Sequence, residues 1–190
     1  MPVGPPDVAL RPTQPDDLDF VLALEHHPDQ RPFIGQWSRE QHLDAIARPD
    51  REHWIICTDR LRESIGYLIA YDMREAGYGV YVKRIALAEK STGAGRQAMG
   101  LFLRHAFDDL GAASVCLAVR GHNLRAQRSY AAAGFVELPL SADERRRMTQ
   151  TVDAFPDECF VMIRHKDPAL AQPTALSVRH PALHRDAGDT

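Results

Sequence analysis

The chain has 190 residues, 23 basic and 26 acidic side chains, a formal net charge of −3 and 44% hydrophobic residues. That length fits one globular domain able to bury roughly 70% of its unfolded surface, so no metal or disulfide staple is needed for a core. The near balance of charge argues against a dedicated nucleic-acid binder, which would carry a strong basic excess.

Only Lys83, Lys90 and Lys166 of the basic residues are lysine, a bias that reflects genome composition more than function. Cys57, Cys116 and Cys159 are odd in number, far apart and without CxxC or His-flanked spacing. They read as buried thiols in a reducing cytosol, with no metal site. The start, MPVGPPDVAL, has no basic segment followed by an apolar core, and no run approaches the ~18 apolar residues of a membrane span. A soluble, cytoplasmic protein without a membrane partner is expected.

Val8 to Arg11 is a short apolar strand stopped by Pro12, and Thr13-Gln-Pro-Asp16 makes a capping-box-like helix start continued by Leu18, Val21, Leu22 and Glu25. After a Pro-broken loop from His26 to Trp37, Ser38-Arg-Glu-Gln41 repeats the cap signature. Leu43, Ile46 and Ala47 then form the apolar face of a short helix ending before Pro49. Trp54 to Thr58 and Ile65 to Tyr71 read as a hairpin, and Val80 to Leu87 as another strand after Gly77 and Gly79.

From there the order changes to strand, helix, strand, helix, the signature of an α/β layer with at least one parallel pairing. Met99, Phe102, Leu103, Ala106, Phe107 and Leu110 recur at helical spacing, with Gly111 placed to close the helix. Val115 to Val119 is an apolar run suited to a strand covered on both faces. Asn123 can cap the next helix, Ala126 and Tyr130 lie one turn apart on it, and Gly134 ends it before a strand opening at Phe135. Cys159 to Arg164 supplies the last strand, and the Arg145-Arg-Arg147 run before it reads as a solvated loop or helix face. Residues 1–166 form the domain, and the aperiodic, Pro/Ala-rich residues 167–190 are a tail.

The chemistry concentrates in Lys90-Ser-Thr-Gly-Ala-Gly95-Arg96, between a strand and the strongest helix. Small residues admit a ligand close to the backbone, and the exposed amides and dipole of a helix N-terminus attract phosphate oxygens. The loop suits a pyrophosphate; a structural glycine turn explains the same pattern. Neither a Walker loop nor the dinucleotide fingerprint is present, because GxxxxGK[ST] is missing and Gly93-x-Gly95 is followed by Met99 and Gly100.

Lys90-x-x-Gly93-x-Gly95 resembles the Q/R-x-x-G-x-G/A loop of the GNAT superfamily of acyl-CoA-dependent N-acetyltransferases, with Lys in the first place. Downstream, Asn123-x-Arg-Ala126-x-x-x-Tyr130-x-x-x-Gly134-Phe135 looks like the family's second signature. The resemblance covers about Val80 to Val136. Lys83-Arg-Ile-Ala-Leu-Ala-Glu-Lys90 gives the closest look to the branch containing ribosomal-protein N-acetyltransferases.

The resemblance implies an α/β fold: a mixed, mostly antiparallel sheet of about six to seven strands with a splayed parallel pair, flanked by about four helices. It implies acetyl-CoA as co-substrate and no metal. Backbone at Ile85, Ala86 and Leu87 would pair with the pantetheine amides, and amides from Thr92 through Ala94 to Arg96 would hold the pyrophosphate beside Lys90. An amine would attack the thioester directly, a backbone NH would stabilise the oxyanion, and Tyr130 would give a proton to the leaving thiolate; the other reading of Tyr130 is a core aromatic. Asn123 would contact the cofactor, cap its helix, or do both. Arg96, Arg125 and Arg128 would meet the ribose phosphate or lie solvated.

Glu25, His26, Asp72 and Glu75 fall in segments that could border an acceptor site, yet each is also an ordinary surface position, so no general base is assigned. The acceptor wall is expected from His26 to Trp37, with Phe33 and Trp37 in it or in the core beneath, and from a loop between Leu138 and Asp157. The acceptor is a small-molecule amine or a peptide N-terminus, and a homodimer is compatible with this reading. The rival is a catalytically silent acyl-CoA-binding or sensing module, which would keep the glycine loop without needing Tyr130.

Overall fold

The computed structural model describes residues 7–58, 62–90, 92–151 and 159–171. Seven strands, Val8–Pro12 (β1), Arg51–Thr58 (β2), Ser64–Met73 (β3), Gly79–Leu87 (β4), Ser114–Arg120 (β5), Val136–Leu138 (β6) and Cys159–His165 (β7), form one sheet in the order β1-β2-β3-β4-β5-β7-β6. Every pairing is antiparallel except β4 with β5.

The sheet is covered on both faces. Leu18, Val21 and Leu24 of helix α1 (Leu18–His26) pack with Tyr67, Ile69 and Met148 on one side. Met99, Phe102 and Leu103 of helix α3 (Ala94–Arg104) pack with Leu68, Val82 and Leu117 on the other. Two faces of cover explain why β5 reads as an unbroken apolar run, with Val115 to Leu117 and Val119 buried. Helix α3 passes into a π-helical turn at His105–Asp109 and the chain turns at Gly111, where the helical spacing placed the stop.

Three local expectations change. Thr13 does not cap the first helix: it is buried, its amide donates to the His53 carbonyl (2.9 Å) and its hydroxyl hydrogen-bonds His53 Nδ1 (2.8 Å). The turn begins one residue later, where the Gln14 amide donates to Asp17 (2.8 Å) over a 3-10 turn at Pro15–Asp17. In helix α2 (Arg39–Ala47) the Ser38/Gln41 capping box forms, but the buried face carries His42 and Ala45 while Leu43 is 38% exposed. The stretch after Leu138 contains a fifth helix: α4 is Leu124–Ala132 and α5 is Ala142–Thr151, which buries Met148 and carries the three arginines. Its own apolar content is too low to announce a helix; contact with the sheet supplies what periodicity lacks.

The central opening has a covalently simple cause. In the β3–β4 ladder Ile69 faces Arg84 and Ala70 faces Val82, so Lys83 is an extra residue, a β-bulge. A bulge bends and twists its strand. β4 meets β5 only at Val80↔Val115, Tyr81↔Cys116 and Val82↔Leu117, and the two separate from the bulge onward.

Beneath α1 and α2 runs a buried polar chain. Glu25, with no solvent exposure, accepts from Tyr67 Oη (2.6 Å), Arg84 Nη1 (2.7 Å) and the Trp37 amide (2.9 Å). His42 Nε2 lies 3.4 Å from the same carboxylate, His42 Nδ1 contacts His53 Nε2 at 3.0 Å, and His53 reaches Thr13. Burial by itself would raise the Glu25 pKa, but His42, the Arg84 charge, Tyr67 and the Trp37 amide together hold it below the ordinary value. Burial, helped by His42 and Arg84, pushes His53 from 6.5 down to about 3.

A folded-state pKa below the unfolded one means His53 contributes stability at neutral pH that is lost as pH falls from 6.5 toward 3. Between pH 7 and pH 5 this amounts to about 2 kcal/mol. Urea unfolding at the two pH values is expected to show that loss in the parent and a flattened dependence in His53→Gln. Gly79 (φ +71°) stands where β4 joins β5, and a Cβ there would lie 2.1 Å from the Ser114 carbonyl oxygen; at Gly77 (φ +82°) nothing lies within 4 Å. Gly77→Ala is therefore expected to cost about 1 kcal/mol, from the backbone conformation alone. Gly79→Ala is expected to cost at least ~3 kcal/mol, because β4 and β5 must shift apart; thermal unfolding of the two variants tests the difference.

Candidate active site

Two cavities occupy the gap left by the diverging strands. The larger, about 370 Å³, lies between the loop Gln30 to Trp37, the β4 segment Tyr81 to Ile85, the β5 segment Leu117 to Arg120, and α4. The second, about 300 Å³, lies between Ile85 to Leu87, the loop from Glu89 to Arg96, and Arg125 to Tyr130 of α4. Gln30, Ile85, Arg125, Ala126 and Tyr130 line both, so the two spaces meet at Tyr130.

The glycine loop ends the smaller cavity. Gly93 caps α3 from the left-handed region (φ +83°), a conformation glycine adopts without steric cost. The first turn of α3 has no acidic residue, so the positive end of the helix dipole is left for an external anion. A Cβ on Gly95 would stand 3.7 Å from Leu87 Cδ2, an ordinary contact, and Gly95 also lines the cavity. Thr92 turns inward locally, accepting from the Ala94 amide (3.4 Å). The Lys90 ammonium donates to the Asp29 carbonyl (2.9 Å) and sits 5.9 Å from the Phe33 ring centre, tying the glycine loop to the N-terminal loop.

On β4, the Ala88 amide donates to the Ile65 carbonyl (2.8 Å), and the Ala86 carbonyl oxygen would be 2.3 Å from a Cβ on Gly66. Ala86 thus turns its main chain toward β3, and by strand alternation Ile85 and Leu87 turn theirs toward the gap. Of the three residues expected to offer backbone, Ile85 and Leu87 thus face the gap and Ala86 faces β3. The Leu87 carbonyl is itself taken by Gln30 Nε2 (2.8 Å), a buried residue that composition and motif gave no reason to single out.

Tyr130 is half-buried, packs its ring against Phe135 (5.9 Å between centres) and has no hydrogen bond from its hydroxyl to a described residue. Burial raises its pKa to about 12, so the hydroxyl keeps its proton at neutral pH. It packs in the core and also lines both cavities. Asn123 likewise does two things, capping α4 through the Ala126 amide (3.2 Å) and lining the larger cavity. Arg96 and Arg125 line the smaller cavity; Arg128 is exposed and lines neither.

The segments considered for a general base do not converge. Glu25 is not a surface residue but the centre of the buried chain, held as a carboxylate by Arg84. His26 is exposed and bonded to the Leu22 carbonyl (2.7 Å). Asp72 pairs with Arg74 (2.7 Å) opposite Val80, and Glu75 is exposed in the same turn, at the end of β4 away from the cavities. Phe33 and Trp37 do line the larger cavity; Phe33 reaches across to His122 (5.7 Å) and Trp37 lies under the Arg84 guanidinium (4.2 Å). From the far side, none of the described residues between 138 and 151 reaches that lining, and 152–158 lie outside the described residues. Arg84 itself, 5% exposed in its side chain, carries no sequence signal beyond being a charged residue in an apolar strand.

Cys57, Cys116 and Cys159 are buried free thiols, and among the described residues no cluster of three His, Cys, Asp or Glu could hold a metal. Among the same residues no helix is long and apolar enough to cross a membrane.

Comparison with known proteins bears directly on this geometry. The fold is similar to a spermidine N-acetyltransferase from Vibrio cholerae solved with CoA and spermine (17% identity, 86% of this chain and 98% of that one, TM-score 0.69). It is similar also to a domain from Methanocaldococcus jannaschii (15% identity, 84% and 99%, TM-score 0.65). No curated protein matched. The family model for the acetyltransferase (GNAT) domain matches residues 7–136, which span β1, the bulged β4, the glycine loop and α4. The chain therefore belongs to the GNAT acetyltransferase family and is an acetyl-CoA-dependent N-acetyltransferase.

Proposed function

We propose that this enzyme acetylates a primary amine by direct attack within the β4/β5 gap, with the co-substrate in the smaller cavity and the acceptor in the larger. The observation that carries this is the junction at Tyr130: one space ends in the glycine loop, the other opens beside Arg84 and Trp37, and Tyr130 is among the residues that line both. Gly93, Ala94, Gly95 and Arg96 at the start of α3 offer amides to the pyrophosphate, with Thr92 and Lys90 shaping the loop and Arg96 and Arg125 near the ribose phosphate. Ile85 and Leu87 face the pantetheine arm, Ala86 fixes their register against β3, and Asn123, in the lining of the larger cavity, contacts the co-substrate from that side.

In the transfer the amine nitrogen forms a bond to the acetyl carbon, the carbon–sulfur bond breaks, and the sulfur leaves as a thiolate. Backbone NH groups on the gap side of β4 are placed for the charge developing on the acetyl oxygen. Tyr130, holding its proton, donates a hydrogen bond and then the proton to the departing sulfur. The amine's own proton leaves to water through the open cavity, since no Asp, Glu or His is among the described residues lining it. Both the polyamine acetyltransferase fold neighbours and the ribosomal-protein branch acetylate amines, and the acceptor here is a small-molecule amine or a peptide N-terminus. The three buried free thiols support a cytoplasmic setting. Residues 1–166 are taken as the enzyme domain and 167–190 as its tail, a division supported by β7, the last of the described strands, ending at His165.

Gly95→Val is expected to weaken CoA binding at least ~10-fold by calorimetry with a melting temperature close to the parent's, since the first added carbon meets only Leu87. Unchanged affinity would overturn the pyrophosphate assignment. Tyr130→Phe is expected to lower kcat by about 10² or more with CoA affinity kept; equal turnover would return Tyr130 to a purely packing role.

A further inference from the structure

One side chain in the wall of the larger cavity bears on what kind of amine that cavity takes. Its described lining contains Lys83, Arg84, Arg120 and Arg125 and no carboxylate.

Arg84 is the informative member. It is nine-tenths buried, its Nη1 is fixed on Glu25 (2.7 Å), and Trp37 packs flat against it (4.2 Å). A guanidinium has five donor hydrogens in a rigid fork, and the Nη2 and Nε edge of Arg84 has no hydrogen-bond partner among the described residues. Neither nitrogen is sealed in the core: among the described residues the buried side-chain nitrogens and oxygens without partners are His42 Nε2 and Thr58 Oγ1. The open edge faces Gly35, where a Cβ would stand 2.8 Å from Nη2. A glycine at that point keeps the edge accessible from the cavity.

We infer that Arg84, clamped by Glu25 and Trp37 and left uncovered by Gly35, binds a carboxylate on the acceptor, so that the substrate class is amino acids with a free carboxylate. A planar carboxylate meets the Nη2 and Nε N–H groups of that edge side by side, which a hydroxyl or an ammonium cannot do. The fork is preorganised, because the ion pair and the stacked indole hold it before any substrate arrives. Glu25 is therefore a positioning residue, acting on the acceptor only through Arg84.

This inference rests on the acetyl-transfer reading above, and the two fail differently. Acetyl transfer is measured as kcat/KM with free amino acids, the matching amino-acid amides, and spermidine. The amides carry the less basic amine and so the larger neutral fraction, which biases against the expected result. The acids are expected to exceed their amides and spermidine at least ~10-fold for the preferred side chain. In Arg84→Gln that ratio is expected to collapse toward 1 with CoA affinity retained. Because Arg84→Gln strands a buried carboxylate and can fail to fold, Gly35→Ala serves beside it: the arginine is kept opposite Glu25, the added methyl presses on Nη2 at the open edge, and the acid-to-amide ratio falls. Turnover with equal rates for acids and amides, or a preference for spermidine, would overturn the inference while leaving acetyl transfer standing. CoA binding with no turnover on any amine would overturn both.

Discussion

A carboxylate without solvent exposure survives in an apolar core only if donors converge on it, and Glu25 has Tyr67, Arg84 and the Trp37 amide within 2.9 Å. Those three donors come from β3, β4 and the end of the N-terminal loop. One buried charge therefore sets where that loop lies against the sheet, holds a cation beside the larger cavity, and gives α2 a reason to bury His42 rather than Leu43. Removing either partner would leave the other charged and unpaired in the core, which is why the pair constrains so much structure.

The second constraint is geometric. A single extra residue in β4, Lys83, falls where the parallel pairing with β5 stops. Before it the strands exchange hydrogen bonds; after it Ile85 and Leu87 keep main-chain groups turned toward a gap. An open sheet interior is ordinarily costly because backbone groups lose partners. Here Gln30 covers one of them, the Leu87 carbonyl, and the gap leaves others available to a ligand that can pair as a strand would. The ion pair and the bulge are neighbours at residues 83 and 84, so the wall of one cavity and the opening of the other arise from the same turn of backbone.

What could be read from the chain depended on range. Elements fixed by their own spacing emerged in place: α3 with its glycine start, the run at β5, the Asn123 cap and the Ser38/Gln41 box. Elements fixed by a distant partner did not. Thr13 looked like a helix cap because the hydroxyl that would cap is instead satisfied by His53, forty positions away. Helix α5 was hidden because a single buried residue, Met148, anchors an otherwise polar segment to the sheet. Glu25 passed for a surface acid, since nothing within a few residues of it signals that Arg84 will arrive across 59 positions.

The sequence by itself carried the family resemblance that implies the class of chemistry: glycines at the start of an amphipathic helix, then Asn123 and Tyr130 spaced along the next, are local patterns that need no tertiary contact to be matched. Glycine at a left-handed cap and helix amides open to an anion are properties of short segments. Only the tertiary structure decided which backbone faces the gap, that Tyr130 stands where two cavities meet, and that a buried arginine is held ready at the wall of one of them. Those outcomes depend on strand register and on charge pairs between residues far apart in sequence, and neither leaves a periodic trace along the chain.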